Sequence, residues 1–377
     1  MIKMRIGFAY DSAYPWFNGG IEKRRFLVMA ALRKAGHEVH LFTMFREGMP
    51  GEEFTYRGIR YHCCGKALPT NAMYKNGRRN VSWPLKYASL LDIKIWKYRF
   101  DILDADAFPF VHIPKLAAYA KITGAKFVVT WHEVWDREYW ERYLPGFGLM
   151  GYVAEQISAR LSKNAIAISS KTKESLISVL KMPEKNITIF PAAIDGERIR
   201  MFLRGGTKRK SEKFVSVGRL VPQKRIDMAI RAVAGTDARL TIIGSGPEKP
   251  RLIALARKLG IEKRVKFVNM LSEDSLMKEI SQARGLLMFS EREGMSIITL
   301  ESLALGTAVL IAKSTSLPKE IRRHCRTIDE QDLSGSVMRL LKNKKSVLYH
   351  PRIDRKAITD EFSVEKSNAV YKRIADR

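Results

Sequence analysis

Short apolar strands alternate with helical segments along this chain, and the alternation starts twice, which narrows the possible folds more than any other feature. Residues 5–9 read as a strand, 21–34 carry apolar side chains at helical spacing and stop at Gly36, and 38–43 are again a strand. Further on, 126–130 and 165–168 are short apolar strands with a periodic segment, 151–162, between them. After Pro191 the pattern restarts. Strands at 213–217, 239–243, 265–268, 285–289 and 308–311 are separated by helices at 225–234, 250–259 and 276–282 and by a helix bearing Glu301. Parallel strands need such crossovers, so each half predicts a doubly wound α/β sheet. At 377 residues the chain is long enough for two domains with their own cores. The expected division is 1–192 and 193–360, with a final helical segment, 361–377, packing back on the first domain. The junction falls at Phe190-Pro191-Ala192-Ala193-Ile194-Asp195, and the charged run 204–213 reads as a surface connection.

Domains of this kind bind ligands beyond the carboxyl ends of their strands, so chemistry is expected in loops that follow strands. The first such loop places Gly19-Gly20 before a helix, where backbone amides suit a phosphate. Trp16 and Phe17 would line its mouth or pack beneath it. After 213–217 comes Gly218-Arg219-Leu220-Val221-Pro222-Gln223-Lys224, in which Arg219 and Lys224 can turn to one point. Two fixed cations suit a diphosphate whose charge grows as it departs, although either alone would pass for a surface cation. Gly244-Ser245-Gly246-Pro247 is turn chemistry at a third strand end. The fourth loop, Ser290-Glu291-Arg292-Glu293-Gly294-Met295-Ser296, leads into a helix carrying Glu301 about two turns in. Glu293 and Glu301 can border one ligand over that helix start, and carboxylates suit ribose or sugar hydroxyls. His132, after 126–130 and beside Trp131, completes the candidates.

The charge balance is 67 Lys+Arg against 39 Asp+Glu, a formal net charge of +28, which favours polyanions or an anionic membrane face. The basic clusters (Lys23-Arg24-Arg25, Lys208-Arg209-Lys210, Arg322-Arg323 and Lys342-Asn343-Lys344-Lys345) read individually as solvated faces. The most apolar long segment, 105–131, is interrupted by Lys115, Lys121 and Lys126, so no membrane span is expected. The N-terminus reads as a buried strand rather than a leader, and the three cysteines have neither zinc spacing nor a disulfide count. A cytoplasmic protein with reduced cysteines is the expectation.

Taken in order, these motifs resemble the family 4 glycosyltransferases, with their Glu-x7-Glu spacing at Glu293 and Glu301. Leu303-Ala304-Leu305-Gly306-Thr307-Ala308-Val309 looks like the family's helix-to-strand ending, and Ala35-Gly36-His37-Glu38-Val39 like its early turn. Gly19-Gly20, Gly218-Arg219 with Lys224, and Phe362-Ser363 match further landmarks. The resemblance implies the GT-B fold, two Rossmann-like α/β domains facing each other across a cleft, and retaining, metal-independent transfer from a nucleoside-diphosphate sugar with no cofactor. It implies catalytic roles near the donor sugar for His132 and Glu293. It also implies donor binding by Gly19, Gly20, Arg219, Lys224, Gly244, Gly294, Met295, Ser296 and Glu301, with Glu301 on the ribose. Two departures stand out. Pro191-Ala192-Ala193 replaces the family's common Pro-Asn-Gly, and Ser314-Thr315-Ser316-Leu317-Pro318-Lys319-Glu320 replaces a glycine-rich turn.

All six tryptophans fall in the first 140 residues; most are expected in the core. Together with the charge they also point to a glycan or lipid-linked acceptor and to peripheral attachment at an anionic membrane, with no specific nucleic acid partner. A GT-B sugar-nucleotide epimerase, a basic nucleic-acid-binding protein and a non-catalytic relative are the competing readings. The retained Glu293, Glu301, Arg219 and Lys224 argue against the last.

Overall fold

The structure is a computed structural model that describes residues 3–17, 19–67, 74–75, 78–80, 82–191, 193–206, 212–342 and 354–377. Of the sequence expectations, Ala192 and the basic residues 208–210 and 344–345 lie outside these. The chain divides into two compact units, Met1–Ala193 with Val364–Arg377, and Ile194–Ser363.

In chain order the first unit contains β1 (Arg5–Ala9), β2 (Glu38–Phe45), β3 (Glu53–Tyr56), β4 (Ile59–Lys66), the small hairpin β5 (Tyr74–Lys75) and β6 (Arg78–Arg79), β7 (Ile102–Asp106), β8 (Lys126–Trp131), β9 (Asn164–Ala167) and β10 (Ile187–Ile189). Its main sheet runs β10-β9-β8-β7-β1-β2-β4-β3 and is parallel except for the edge strand β3. Period-2 alternation sends side chains to opposite faces. Ile6, Phe8 and Val128 join one core layer; Ala9, Phe42 and Val129 join the other. Each such fully buried large apolar side chain contributes about 1.5–3 kcal/mol. The chain's last segment is broken rather than continuous. A helix over Arg355–Phe362 ends in the second unit, and Ser363, extended, pairs with Ile194. The helix Ser367–Ala375 then places Tyr371 and Ile374 in the first unit's core.

The second unit contains β11 (Lys213–Val217), β12 (Arg239–Ile243), β13 (Val265–Val268), β14 (Gly285–Met288), β15 (Ala308–Ala312) and β16 (Arg326–Ile328), all parallel in the order β13-β12-β11-β14-β15-β16. Numbered from β11 this is 3-2-1-4-5-6, the doubly wound order whose direction reverses between its first and fourth strands. Neighbouring loops there leave on opposite faces, opening a crevice at the carboxyl ends of β11 and β14. In the first unit the corresponding reversal lies between β1 and β7.

Candidate active site

The loops that bear the sequence-read residues lie at these reversals or, for His132 after β8 and Gly244 after β12, one strand away. In the second unit, Gly218 follows β11 with φ +154°, and its N–H donates to Ile243 O at 3.0 Å. Leu220 N–H donates to Ser245 O at 2.8 Å and Glu248 N–H to Leu220 O at 3.0 Å, stacking the loop after β11 on the loop after β12. That approach requires Gly244. A Cβ there would lie 1.9 Å from Gly218 O, and its φ is +149°. Gly246 is under the same constraint from Leu220 O, at 2.3 Å. The structure thus gives Gly244 a backbone reason of its own: it seats the Gly218–Lys224 loop.

Glu291 N–H donates to Gln223 O at 2.9 Å and ties the loop after β14 to the same place. Lys224 Nζ is ion-paired and hydrogen-bonded to Glu293 Oε1, with both side chains largely buried. Arg219 is exposed on the loop, while Gly294 is half-buried and Met295 buried. Ser296 caps the helix Ile297–Ala304 from a left-handed conformation, φ +50°, uncommon for a side-chain-bearing residue. Its hydroxyl meets Thr299 Oγ1 at 2.8 Å. Glu301 is just over one turn into this helix, closer to its start than the sequence suggested, and is 8% exposed. Lys224, Glu293, Ser296 and Glu301 therefore border the switch point of one sheet, beside a helix N-terminus.

In the first unit, Gly19 caps the helix Gly20–Lys34. A Cβ on Gly19 would lie 2.1 Å from the Glu22 carboxylate, whereas one on Gly20 would meet nothing within 4 Å. Only Gly20 offers bare backbone to open space. Trp16 is half-buried, edge-on to Phe54, Tyr56 and Tyr61, and donates to Gly48 O at 2.8 Å.

The Lys23-Arg24-Arg25 cluster is not a solvated face: Arg24 and Arg25 are buried at 5% and 3% exposure. Strand β7 passes beside the helix and carries Asp104 and Asp106, which share a strand face at i, i+2. Arg25 is ion-paired with Asp106, and its Nη2 lies 3.9 Å from Asp104. Arg24 Nη2 donates to Phe190 O at 2.9 Å. Asp104 accepts from Thr130 Oγ1 at 2.8 Å and from the Tyr371 hydroxyl. His132, just past β8, has Nε2 2.6 Å from Asp106 Oδ1.

Burial acts to raise the Asp106 carboxyl, but Arg25 and the His132 hydrogen bond outweigh it and hold the group down at about 2. Burial is also the largest influence on Arg25, yet Asp106 and Asp104 lift it above its ordinary value. Asp104 goes up, because burial prevails over Arg25 and its hydrogen bonds. Burial lowers His132 below 6.5 against the pull of Asp106. With an ionised Asp106 accepting, neutral His132 carries its proton on Nε2 and keeps Nδ1 as an acceptor. Asp106 and Arg25 escaped the sequence reading; the available signal was Asp104-Ala105-Asp106, two carboxylates inside an otherwise apolar strand.

The predicted residues thus separate by unit: Gly19, Gly20 and His132 in the first, Arg219, Lys224, Gly244, Glu293, Gly294, Met295, Ser296 and Glu301 in the second. Doubly wound sheets with glycine loops, cations and a helix start at their switch points define the class of nucleotide-handling α/β proteins. The family models are more specific. Residues 18–198 match Glycosyltransferase Family 4 and residues 199–353 match Glycosyl transferases group 1, so the chain belongs to these glycosyltransferases and has their GT-B fold.

N-acetyl-alpha-D-glucosaminyl L-malate synthase of Bacillus anthracis is 26% identical over 212 residues, which make up 52% of this chain and 55% of the relative. The N-acetylgalactosamine-N,N'-diacetylbacillosaminyl-diphospho-undecaprenol 4-alpha-N-acetylgalactosaminyltransferase of Campylobacter jejuni is 31% identical over 150 residues, 39% of this chain and 40% of that one. The chain spans about half the length of the curated relatives it matches. The structure of HepE from Anabaena in complex with UDP and glucose shares the fold, with a TM-score of 0.72 at 14% identity over 99% of this chain and all of that one.

Proposed function

We propose that this chain is a retaining, metal-independent glycosyltransferase of hexosyltransferase type. It would move a sugar from a nucleoside diphosphate to a hydroxyl of a lipid-linked or membrane-proximal glycan acceptor, peripherally at the cytoplasmic face of an anionic membrane. The observation that carries the reading is the Lys224–Glu293 pair beside the N-terminus of Ile297–Ala304, on the loops that flank the β11/β14 reversal. Arg219 and Lys224 hold the diphosphate and offset the charge that grows on it as the glycosidic bond breaks, the part a metal plays elsewhere. Glu301 accepts from the ribose hydroxyls and Glu293 from a donor-sugar hydroxyl. In the first unit, neutral His132 serves the reacting sugar through Nδ1, and Gly20 gives phosphate close access to backbone.

The acceptor oxygen attacks the anomeric carbon on the face from which phosphate leaves. That phosphate takes the acceptor proton, so no second carboxylate is required and configuration is retained. The Campylobacter relative, whose name includes an undecaprenol diphosphate, supports the lipid-linked acceptor, and HepE makes UDP the first nucleotide to try.

The test is a thermal-shift panel of UDP-, GDP- and ADP-linked sugars, because a true donor stabilises the folded chain by mass action. One donor is expected to raise the melting temperature, and Glu301→Ala to weaken its nucleotide about tenfold. Turnover should persist in EDTA with the anomeric configuration unchanged by NMR of the product. No stabilisation by any donor would remove the reading.

A further inference from the structure

The helix Gly148–Leu161 is built inside out. Its inward side carries Gly148, Glu155, Ser158 and Ala159, all buried, whereas Leu149, Met150, Val153, Ile157 and Leu161 are exposed, Met150 to 69%. At about 100° per residue these five fall within an arc of about 120°, and Phe147, 64% exposed, precedes them. A soluble surface helix has the reverse arrangement.

The orientation is locked from beneath. A Cβ on Gly151 would lie 2.1 Å from the Trp140 ring, so at this position only glycine lets the helix come so close to the ring. The fully buried Glu155 accepts from Trp140 Nε1 at 2.6 Å and Trp135 N at 3.0 Å. Rolling the apolar side inward would break both bonds and strand a buried carboxylate.

We propose that this face is where the protein docks on an anionic lipid bilayer; the inference rests on the membrane-proximal reading above and assigns it a surface. Charge decides the occupant. Arg160 lies within the exposed arc, exposed Lys163 follows the helix, and the neighbouring helix Ile113–Thr123 presents Lys121 next to Ile122, itself 69% exposed. Of the acids on the preceding helix, Glu138 lies 4.0 Å from the Arg142 guanidinium, and Glu141 is held by the backbone, accepting from Gly146 N at 2.6 Å. A second copy would bring the same basic rim and another net charge of +28 against it, whereas anionic headgroups complement the rim while the apolar chains enter the interface.

The test is co-sedimentation of the full chain at low salt with vesicles of phosphatidylcholine and phosphatidylglycerol, and with phosphatidylcholine alone. The mixed vesicles should bind more strongly. Met150→Glu and Ile157→Glu should each weaken binding about tenfold or more with thermal melting preserved, and the uncharged Met150→Ser should weaken it less. The proposal is overturned if the native chain stays in the supernatant, if the variants bind as it does, or if the native chain is a dimer that Ile157→Glu converts to a monomer. No donor is used, so failure here leaves glycosyl transfer standing, and a failed donor panel leaves docking standing.

Discussion

His132 owes its neutral form to burial and its tautomer to Asp106, and Asp106 owes its ionisation to Arg25. Asp106→Asn retains the shape but offers an amide that can donate to Nε2, which frees the ring to adopt the other tautomer. Turnover is expected to fall about tenfold to a hundredfold with little change in donor KM, and His132→Ala should likewise reduce turnover more than donor binding, both read from steady-state kinetics. Arg25→Met removes the cation ion-paired with Asp106 and nearest Asp104, leaving the two buried carboxylates only the more distant charge of Arg24. Urea unfolding should show a loss of about 3–5 kcal/mol. The loss should deepen as pH rises from 5 to 8, because protonated carboxyls need no counter-charge and ionised ones do. His132 and the Glu293–Glu301 spacing were legible from sequence because they follow recognisable strand ends. Arg25 was not, since only the passage of β7 beside its helix turns a basic triplet into a buried ion pair.

At the scale of elements, two glycines that look alike in sequence separate. Gly244→Ala would drive a Cβ into Gly218 O at a φ that side chains avoid, so a loss of about 2 kcal/mol or more together with weaker donor binding is expected by thermal shift. Gly20→Ala meets open space; its melting temperature should stay within a degree or so of the native chain while donor affinity falls. Equal damage to both properties would show that Gly20 is structural. The 151–162 segment makes the complementary point. Its periodicity predicted a helix, and a helix spans Gly148–Leu161, but the apolar stripe points outward. Period reveals that one side differs from the other; the partner of each side is set by Trp140 and Glu155, which the period does not encode.

For the molecule as a whole, acid should act on the units unequally. In the first unit His40 Nδ1 lies 2.8 Å from His62 Nε2, with Glu38 on the far side of one ring and Glu53 on the other, and Arg5, Arg60, Lys94 and Tyr98 around them. Burial lowers His40 to about 4 and lowers His62, so the unfolded chain takes up these protons first. Stability is complete above about pH 6.5 and drains as pH falls toward 4, by about 3 kcal/mol from His40 alone. His132 adds in the same direction; Asp104, raised by burial, opposes it weakly. Calorimetry between pH 7 and 4.5 should show the transition of the first unit move down in temperature more than that of the second. Equal shifts would refute the assignment. Sequence alone determined the two α/β units, the alternation of strands and helices within them, the glycine loops and the family, because periodicity, turn chemistry and motif spacing act over a few residues. Tertiary structure decided which cations are buried, why Gly244 admits no side chain, and which way the Gly148–Leu161 helix faces. Those depend on groups distant in sequence that meet only once the sheets are formed.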